Sequence, residues 1–189
     1  MKRNVDRYFS GFIKKKVEKK NGKGHKTVLE YHGEYYKHHL SDEEWKKLKR
    51  FYPVSALICL AAWIAALASD LGGSLPKYVT VPGLCIIFPI YYFVFGSVRN
   101  IFAKREMIVR DYRSSVVRIR WGALLTCILA ALTFVCDLVN LLARRGHEVY
   151  EYFTALALLL CAAASLAAYI REQRTKYVVK LPPEEEGLL

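Results

Sequence analysis

The sequence predicts an all-α membrane protein with four transmembrane helices and a small cytoplasmic α+β portion. Four apolar stretches each approach the roughly 20 residues that a helix needs to cross a bilayer core, and together they contain one carboxylate, that of Asp137. The charge lies outside them, since 15 of the 29 Lys and Arg residues precede the first stretch. This distribution excludes a soluble nucleic-acid binder as the explanation of the net charge of +12, and no specific nucleic-acid partner is expected.

The four expected spans divide the chain into three parts. We expect a basic cytoplasmic N-terminal region at residues 1–50, a four-helix transmembrane domain at residues 51–170 and a cytoplasmic C-terminal tail at residues 171–189. Within the transmembrane domain, the spans cover about residues 52–69, 78–98, 121–142 and 152–170.

Basic residues are divided unequally between the two sides of the membrane. The N-terminal region, the segment between the second and third spans and the tail together hold 26 Lys and Arg residues, whereas the other two loops hold 3. The side with more basic residues is the cytoplasmic one by the positive-inside rule. We therefore expect a multi-pass protein of the cell membrane with both termini in the cytoplasm.

The N-terminal region carries a pattern typical of a basic amphipathic helix. Apolar residues from Val5 to Val17 recur at helical spacing, which predicts a helix over about residues 4–20. Its lysines would bind anionic lipid at the cytoplasmic leaflet, each contributing about 1 kcal/mol. The same apolar stripe could instead dock on a partner protein or on the chain's own sheet. The candidate lipid-binding residues are Lys14, Lys15, Lys16, Lys19 and Lys20.

The rest of the cytoplasmic portion predicts a small sheet and a capped helix. Residues 26–40 indicate a β-hairpin that turns near His32 and Gly33. Because an isolated two-stranded ribbon is marginal in water, we expect the β-prone residues 176–181 to join it as a third strand. The Ser41 and Glu44 spacing predicts a capping box, and its helix would run into the first span with a bend before Pro53.

The second and third spans contain the features that could carry function inside the membrane. Pro82 and Pro89 predict a kink near Ile86 or Ile87, and such breaks mark transport sites in some folds. Asp137 and Asn140 share one face near the outer end of the third span, and a carboxylate at such a position is costly enough to be a functional candidate. Asp137 is either a structural anchor, helped by the following arginines at positions 144 and 145, or a proton or cation site. The structural interpretation is preferred.

Small residues recur at every fourth position in the first, third and fourth spans, as at Ala62 and Ala66 and at Gly122 and Thr126. Such residues let helices approach closely in lipid, where little hydrophobic force drives association. They would pack within one four-helix bundle or, alternatively, between copies in a homo-oligomer.

Metal and redox chemistry lack a sequence signature. The spacing of the nearby histidines is irregular for a zinc site, so we expect no metal ligands, and all five cysteines fall within spans and are expected to pack as apolar residues. No catalytic or cofactor-binding motif was found. The histidines considered were His25, His32, His38 and His39.

Two functions compete on these grounds. The first is a noncatalytic scaffold or a regulatory or accessory subunit that binds a membrane or cytoplasmic protein partner through its basic cytoplasmic surface. The alternative is a small oligomeric transporter or channel that uses Asp137 and the proline-kinked second span. An enzyme acting on a lipid or a quinone ranks third, because no paired acids and bases share one membrane depth.

Overall fold

The computed structural model describes residues 12–18, 25–31, 33–69, 76–143 and 149–180. In chain order, its elements are strands β1 (Phe12–Glu18), β2 (His25–Tyr31) and β3 (Tyr35–His38), helices α1 (Asp42–Ser69), α2 (Lys77–Cys85) and α3 (Ile87–Phe102), strand β4 (Glu106–Ile108), helix α4 (Val109–Tyr112), a π-helical turn (Arg113–Val117), helices α5 (Arg118–Ala143) and α6 (Val149–Arg174), and strand β5 (Tyr177–Lys180).

The structure confirms four helices that are long and apolar enough to cross a membrane. The described part of the chain contains four helical segments that could cross a bilayer, with mean hydropathies of 1.9 to 2.2. Large apolar side chains also point outward along them: Phe88 is 74% exposed and Leu156 is 62% exposed. Such a surface is consistent with a multi-pass membrane protein, since soluble monomers rarely expose wide apolar patches. The four segments are Asp42–Ser69, Lys77–Phe102, Val109–Ala143 and Tyr152–Arg174.

The four spans pack as a ring in chain order. Helix α1 contacts α3, α3 contacts α5, α5 contacts α6, and α6 returns to α1. Small residues lie at these contacts, as the sequence predicts: Ala62, Gly122 and Thr126 are buried within the single chain. The helices approach closely at Gly122, where a Cβ atom would lie 2.6 Å from the backbone nitrogen of Phe93.

The first span begins at the predicted capping box. The backbone nitrogen and the hydroxyl of Ser41 donate to a carboxylate oxygen of Glu44 at 3.0 and 2.9 Å, and the Glu44 backbone nitrogen lies 3.3 Å from the Ser41 hydroxyl. Helix α1 then continues to Ser69 with Pro53 inside it. The cap and the span therefore belong to one helix, although the residue before a proline usually avoids helical geometry.

The second span is interrupted where its prolines predict a kink. Helix α2 ends at Cys85, Ile86 forms a turn, and α3 begins at Ile87. The indole nitrogen of Trp63 donates to the carbonyl oxygen of Gly83 at 2.8 Å. A side chain of the first span thus supplies a hydrogen bond to the backbone close to this break.

A three-stranded antiparallel sheet lies at one end of the bundle, which we call the sheet end. Strand β3 is central: Tyr36 pairs with Met107 of β4 on one side and with Val179 of β5 on the other. The prediction that a strand near residues 176–181 joins a small sheet is confirmed. Strand β4, in the segment between the second and third spans, was not predicted from the sequence.

Two predictions for the N-terminal region are wrong. Residues 12–18 form strand β1 instead of the second half of a helix, and β2 pairs with β1, not with β3. The apolar residues of β1 are strong strand formers, and seven consecutive residue pairs join β1 to β2 in an antiparallel register. The chain between Tyr31 and Tyr35 therefore connects two separate sheets. The first half of the predicted helix, residues 4–11, lies outside the described residues.

Candidate functional site

A buried carboxylate, that of Glu172, lies where the sheet meets the bundle. Its side chain is near the end of α6 and is 0% exposed. The hydroxyl of Tyr177, at the start of β5, donates to Glu172 Oε1 at 2.7 Å, and the hydroxyl of Tyr52, on α1, donates to Oε2. These three residues, Tyr52, Glu172 and Tyr177, form the junction cluster. It joins the first span, the fourth span and the sheet through one carboxylate.

The end of α6 positions this cluster. The Thr175 hydroxyl donates to the carbonyl of Arg171 at 3.0 Å, and the Thr175 backbone nitrogen donates to the carbonyl of Glu172 at 3.1 Å. The chain therefore turns within two residues and brings Tyr177 back over Glu172. Burial, with a further contribution from the nearby Glu172 carboxylate, raises the pKa of Tyr177 above its usual value, so the phenol stays protonated and remains a donor.

His38 lies beside the junction cluster and is 2% exposed. Its ring centroid is 4.0 Å from that of Trp45 and 4.5 Å from that of Tyr177. Burial, followed by the positive charges of Arg105 and Lys49, lowers the pKa of His38 to about 4. The imidazole is therefore neutral at pH 7 and packs as an aromatic ring.

The other histidines considered in the sequence do not join His38. His39 is exposed next to it, His25 lies at the start of β2, and His32 is outside the described residues. Within the described ranges, no group of three or more His, Cys, Asp or Glu side chains is arranged to hold a metal ion.

Asp137 and Asn140 are brought together on the buried face of α5, as predicted. Asp137 is 0% exposed and Asn140 is 3% exposed. The Tyr78 hydroxyl of α2 donates to Asn140 Oδ1 at 3.3 Å. One turn before Asp137, the side chain of Thr133 faces Gly83 next to the break in the second span. The structure thus places Asn140 and Thr133 against α2, and positions 144 and 145 lie outside the described residues.

The lysines predicted to bind lipid do not lie on a helix where they are described. Lys14, Lys15 and Lys16 belong to strand β1. The amphipathic-helix interpretation is wrong for this part of the chain. Lys19 and Lys20 lie outside the described residues.

Glu172 was missed in the sequence, although a signal for it exists. Cys161, Ser165 and Ala168 are buried on one face of α6 at helical spacing, and Glu172 is the next position of that stripe. Because the predicted span ended at residue 170, Glu172 was assigned to the tail. Extending the helical period by one turn would have placed its carboxylate on the buried face.

The chain was compared with protein-family models, with curated proteins and with solved structures, and none of the three comparisons found a match.

Proposed function

We propose that this protein is a noncatalytic scaffold or accessory subunit of the cell membrane, with both termini in the cytoplasm and the sheet end presented to a protein partner. The division of basic residues supports the orientation. The junction cluster supports the function, because it holds a folded surface in a fixed relation to the four spans.

The origin of the three strands is the main support for a scaffold. Strand β3 precedes the first span, β4 lies between the second and third spans, and β5 follows the fourth. The sheet therefore forms only when all four spans are assembled. The chain connections are also short, since two residues separate α6 from β5 and three separate α3 from β4. A partner bound at the sheet would be held rigidly against the bundle.

The sheet has a surface that a partner could contact. Glu106 of β4 pairs with Lys37 of β3 at 3.4 Å and with Lys180 of β5 at 3.2 Å. Next to this charged network, Val178 and Val179 of the edge strand β5 are each 47% exposed. Charged groups beside exposed apolar ones are typical of a polar rim around an interface core.

Site-specific photo-crosslinking in intact cells tests this proposal. A photoreactive residue at Val178 should give discrete protein adducts, because this side chain is exposed on the sheet. The matched control at Leu156, which is 62% exposed on α6 within the fourth span, should give lipid adducts or none. Equal protein adducts from both positions, or none from any exposed position of the sheet, would contradict the scaffold.

A small transporter or channel is the second candidate, and the contact between α2 and the part of α5 that carries Asp137 favours it. A transport site needs an ionisable group, whereas a structural carboxylate needs only hydrogen-bonding atoms. Under the scaffold proposal, Asp137→Asn should fold and should restore the phenotype of a deletion strain, while Asp137→Leu should impair folding. Loss of function in a well-folded Asn variant would favour the transporter.

A further inference from the structure

A groove of about 450 Å³ lies between α1 and α6 at the sheet end of the bundle. Three of its lining residues are basic, and the others are apolar. Outside the groove, both helices expose apolar side chains toward the middle of the spans, with Leu57 at 61% and Leu166 at 43% exposure. The residues that line the groove are Lys47, Leu48, Phe51, Ala167, Ile170, Arg171 and Arg174.

The basic and apolar parts of the groove are segregated along both helices. On α1, Phe51 lies on the bilayer side and Lys47 lies one turn closer to the sheet. Helix α6 runs in the opposite direction, and there Ala167 and Ile170 lie on the bilayer side while the two arginines lie toward the sheet. The groove is therefore apolar at one end and cationic at the other, which is the polarity of a phospholipid.

The three cations are available to an anion. Lys47, Arg171 and Arg174 are exposed. Within the described residues, none of them has a carboxylate oxygen within 4.0 Å, whereas Arg105 and Lys37 nearby do. Glu44 of α1 lies close enough to Arg171 and Lys47 to interact with their charges, but its carboxylate accepts hydrogen bonds from the backbone nitrogen and hydroxyl of Ser41. Among the described residues, no carboxylate therefore forms a direct ion pair at the basic end of the groove.

We propose that this groove binds one anionic phospholipid, with its phosphate between Lys47, Arg171 and Arg174 and an acyl chain along Phe51, Ala167 and Ile170. Guanidinium groups match the geometry of phosphate oxygens, and basic pockets between transmembrane helices bind anionic headgroups. The site differs from the N-terminal lysines considered in the sequence. It goes beyond the proposed scaffold function, and either can fail without the other.

Native mass spectrometry of the full-length protein in mild detergent tests the site. One phosphatidylglycerol molecule should be retained in preference to phosphatidylcholine of the same chain length. The double variant Arg171→Gln/Arg174→Gln should lose about 30-fold in apparent affinity for phosphatidylglycerol, if each basic residue contributes as juxtamembrane cations usually do. Both side chains are exposed, so the variant should keep the thermal unfolding midpoint of the wild type.

The matched control is Lys46→Gln/Arg50→Gln, which removes the same charge from exposed positions of α1 outside the groove. This control should retain the lipid. Equal loss in both double variants, no loss in the arginine variant, or equal retention of phosphatidylcholine would overturn the proposal. Millimolar inorganic phosphate should not displace the lipid, and displacement would show instead a site for a soluble anion.

Discussion

At the scale of single residues, Glu172 illustrates how one buried group can attach a sheet to a membrane bundle. A carboxylate is costly to remove from water unless its oxygens accept hydrogen bonds. Here each oxygen has a tyrosine donor, one from α1 and one from β5. The same three side chains therefore satisfy a buried polar group and connect three elements that are distant in the sequence.

Removing the hydroxyl of either tyrosine should leave one Glu172 carboxylate oxygen without its hydrogen-bond donor. We expect Tyr52→Phe and Tyr177→Phe each to destabilise the protein by about 1 to 3 kcal/mol, measured as a lower thermal unfolding midpoint in detergent. Tyr91→Phe is the control, because Tyr91 is 66% exposed on α3. If the two junction variants unfold at the temperature of this control, the cluster does not hold the sheet.

His38 should make the stability of the sheet depend on pH. Its pKa is about 4 in the folded protein and 6.5 for a free histidine, so the unfolded state binds more protons between these values. Folding is therefore most favoured above pH 6.5, and up to about 3 kcal/mol of stability is lost as the pH falls toward 4.

Hydrogen exchange of the β3 and β5 amides, measured at several pH values, checks this expectation. In His38→Phe, an aromatic ring still packs between Trp45 and Tyr177 but cannot bind a proton. Subtracting the protection measured for the variant from that of the wild type removes the effect of other titrating groups. The remaining difference in protection should change between pH 6.5 and 4. A difference that is constant with pH would show that His38 does not titrate on unfolding.

At the scale of elements, close helix approach is confined to a few positions. Gly96 and Gly122 lie at the contact between α3 and α5, where a Cβ atom would come within 3.0 Å of the facing helix. At Gly122 the obstructing atoms belong to the Phe93 backbone, which cannot move without the whole helix. These glycines therefore set the distance between the second and third spans.

Gly122→Ala should separate α3 from α5 and destabilise the bundle by about 1 to 3 kcal/mol, the usual cost of overpacking. Gly83→Ala is the matched control, since its Cβ atom would be 3.6 Å from the Thr133 methyl group, an ordinary contact. Thermal unfolding in detergent should separate the two variants. Equal midpoints would contradict the close approach seen at Gly122.

At the scale of the whole molecule, the sheet end and the opposite end of the bundle differ in charge as well as in structure. The segments that carry the three strands belong to the side with 26 basic residues, and the opposite side has 3. A charge difference of this kind sets the orientation of a multi-pass protein during insertion. The sheet should then face the cytoplasm.

Cysteine labelling of intact cells with a membrane-impermeant reagent checks this orientation. In a background without the five native cysteines, single cysteines at Gly73 and Gly146 should be labelled. Cysteines at Lys23 and Gly187 should react only after the membrane is permeabilised. The reversed pattern would place the sheet outside the cell and would contradict the proposed scaffold.

The sequence by itself determined the four helical spans, the cap at Ser41 and the break near Ile86. Each depends on local chemistry: the length of an apolar run, a side chain that reaches three residues ahead, or a proline that cannot donate a hydrogen bond. The buried position of Asp137 and Asn140 also followed from the helical period. For these features, knowledge of neighbouring residues along the chain is sufficient.

Only the tertiary structure decided the strand partners, the junction cluster and the groove between α1 and α6. Residues 12–18 are compatible with a helix or a strand, and pairing with β2 selects the strand. Three-residue strand β4 is too short to be recognised without β3 beside it. Glu172 and Tyr52 are 120 residues apart in the chain, so no local pattern relates them. Such contacts depend on how the helices pack, and that packing brings together groups that the sequence keeps distant.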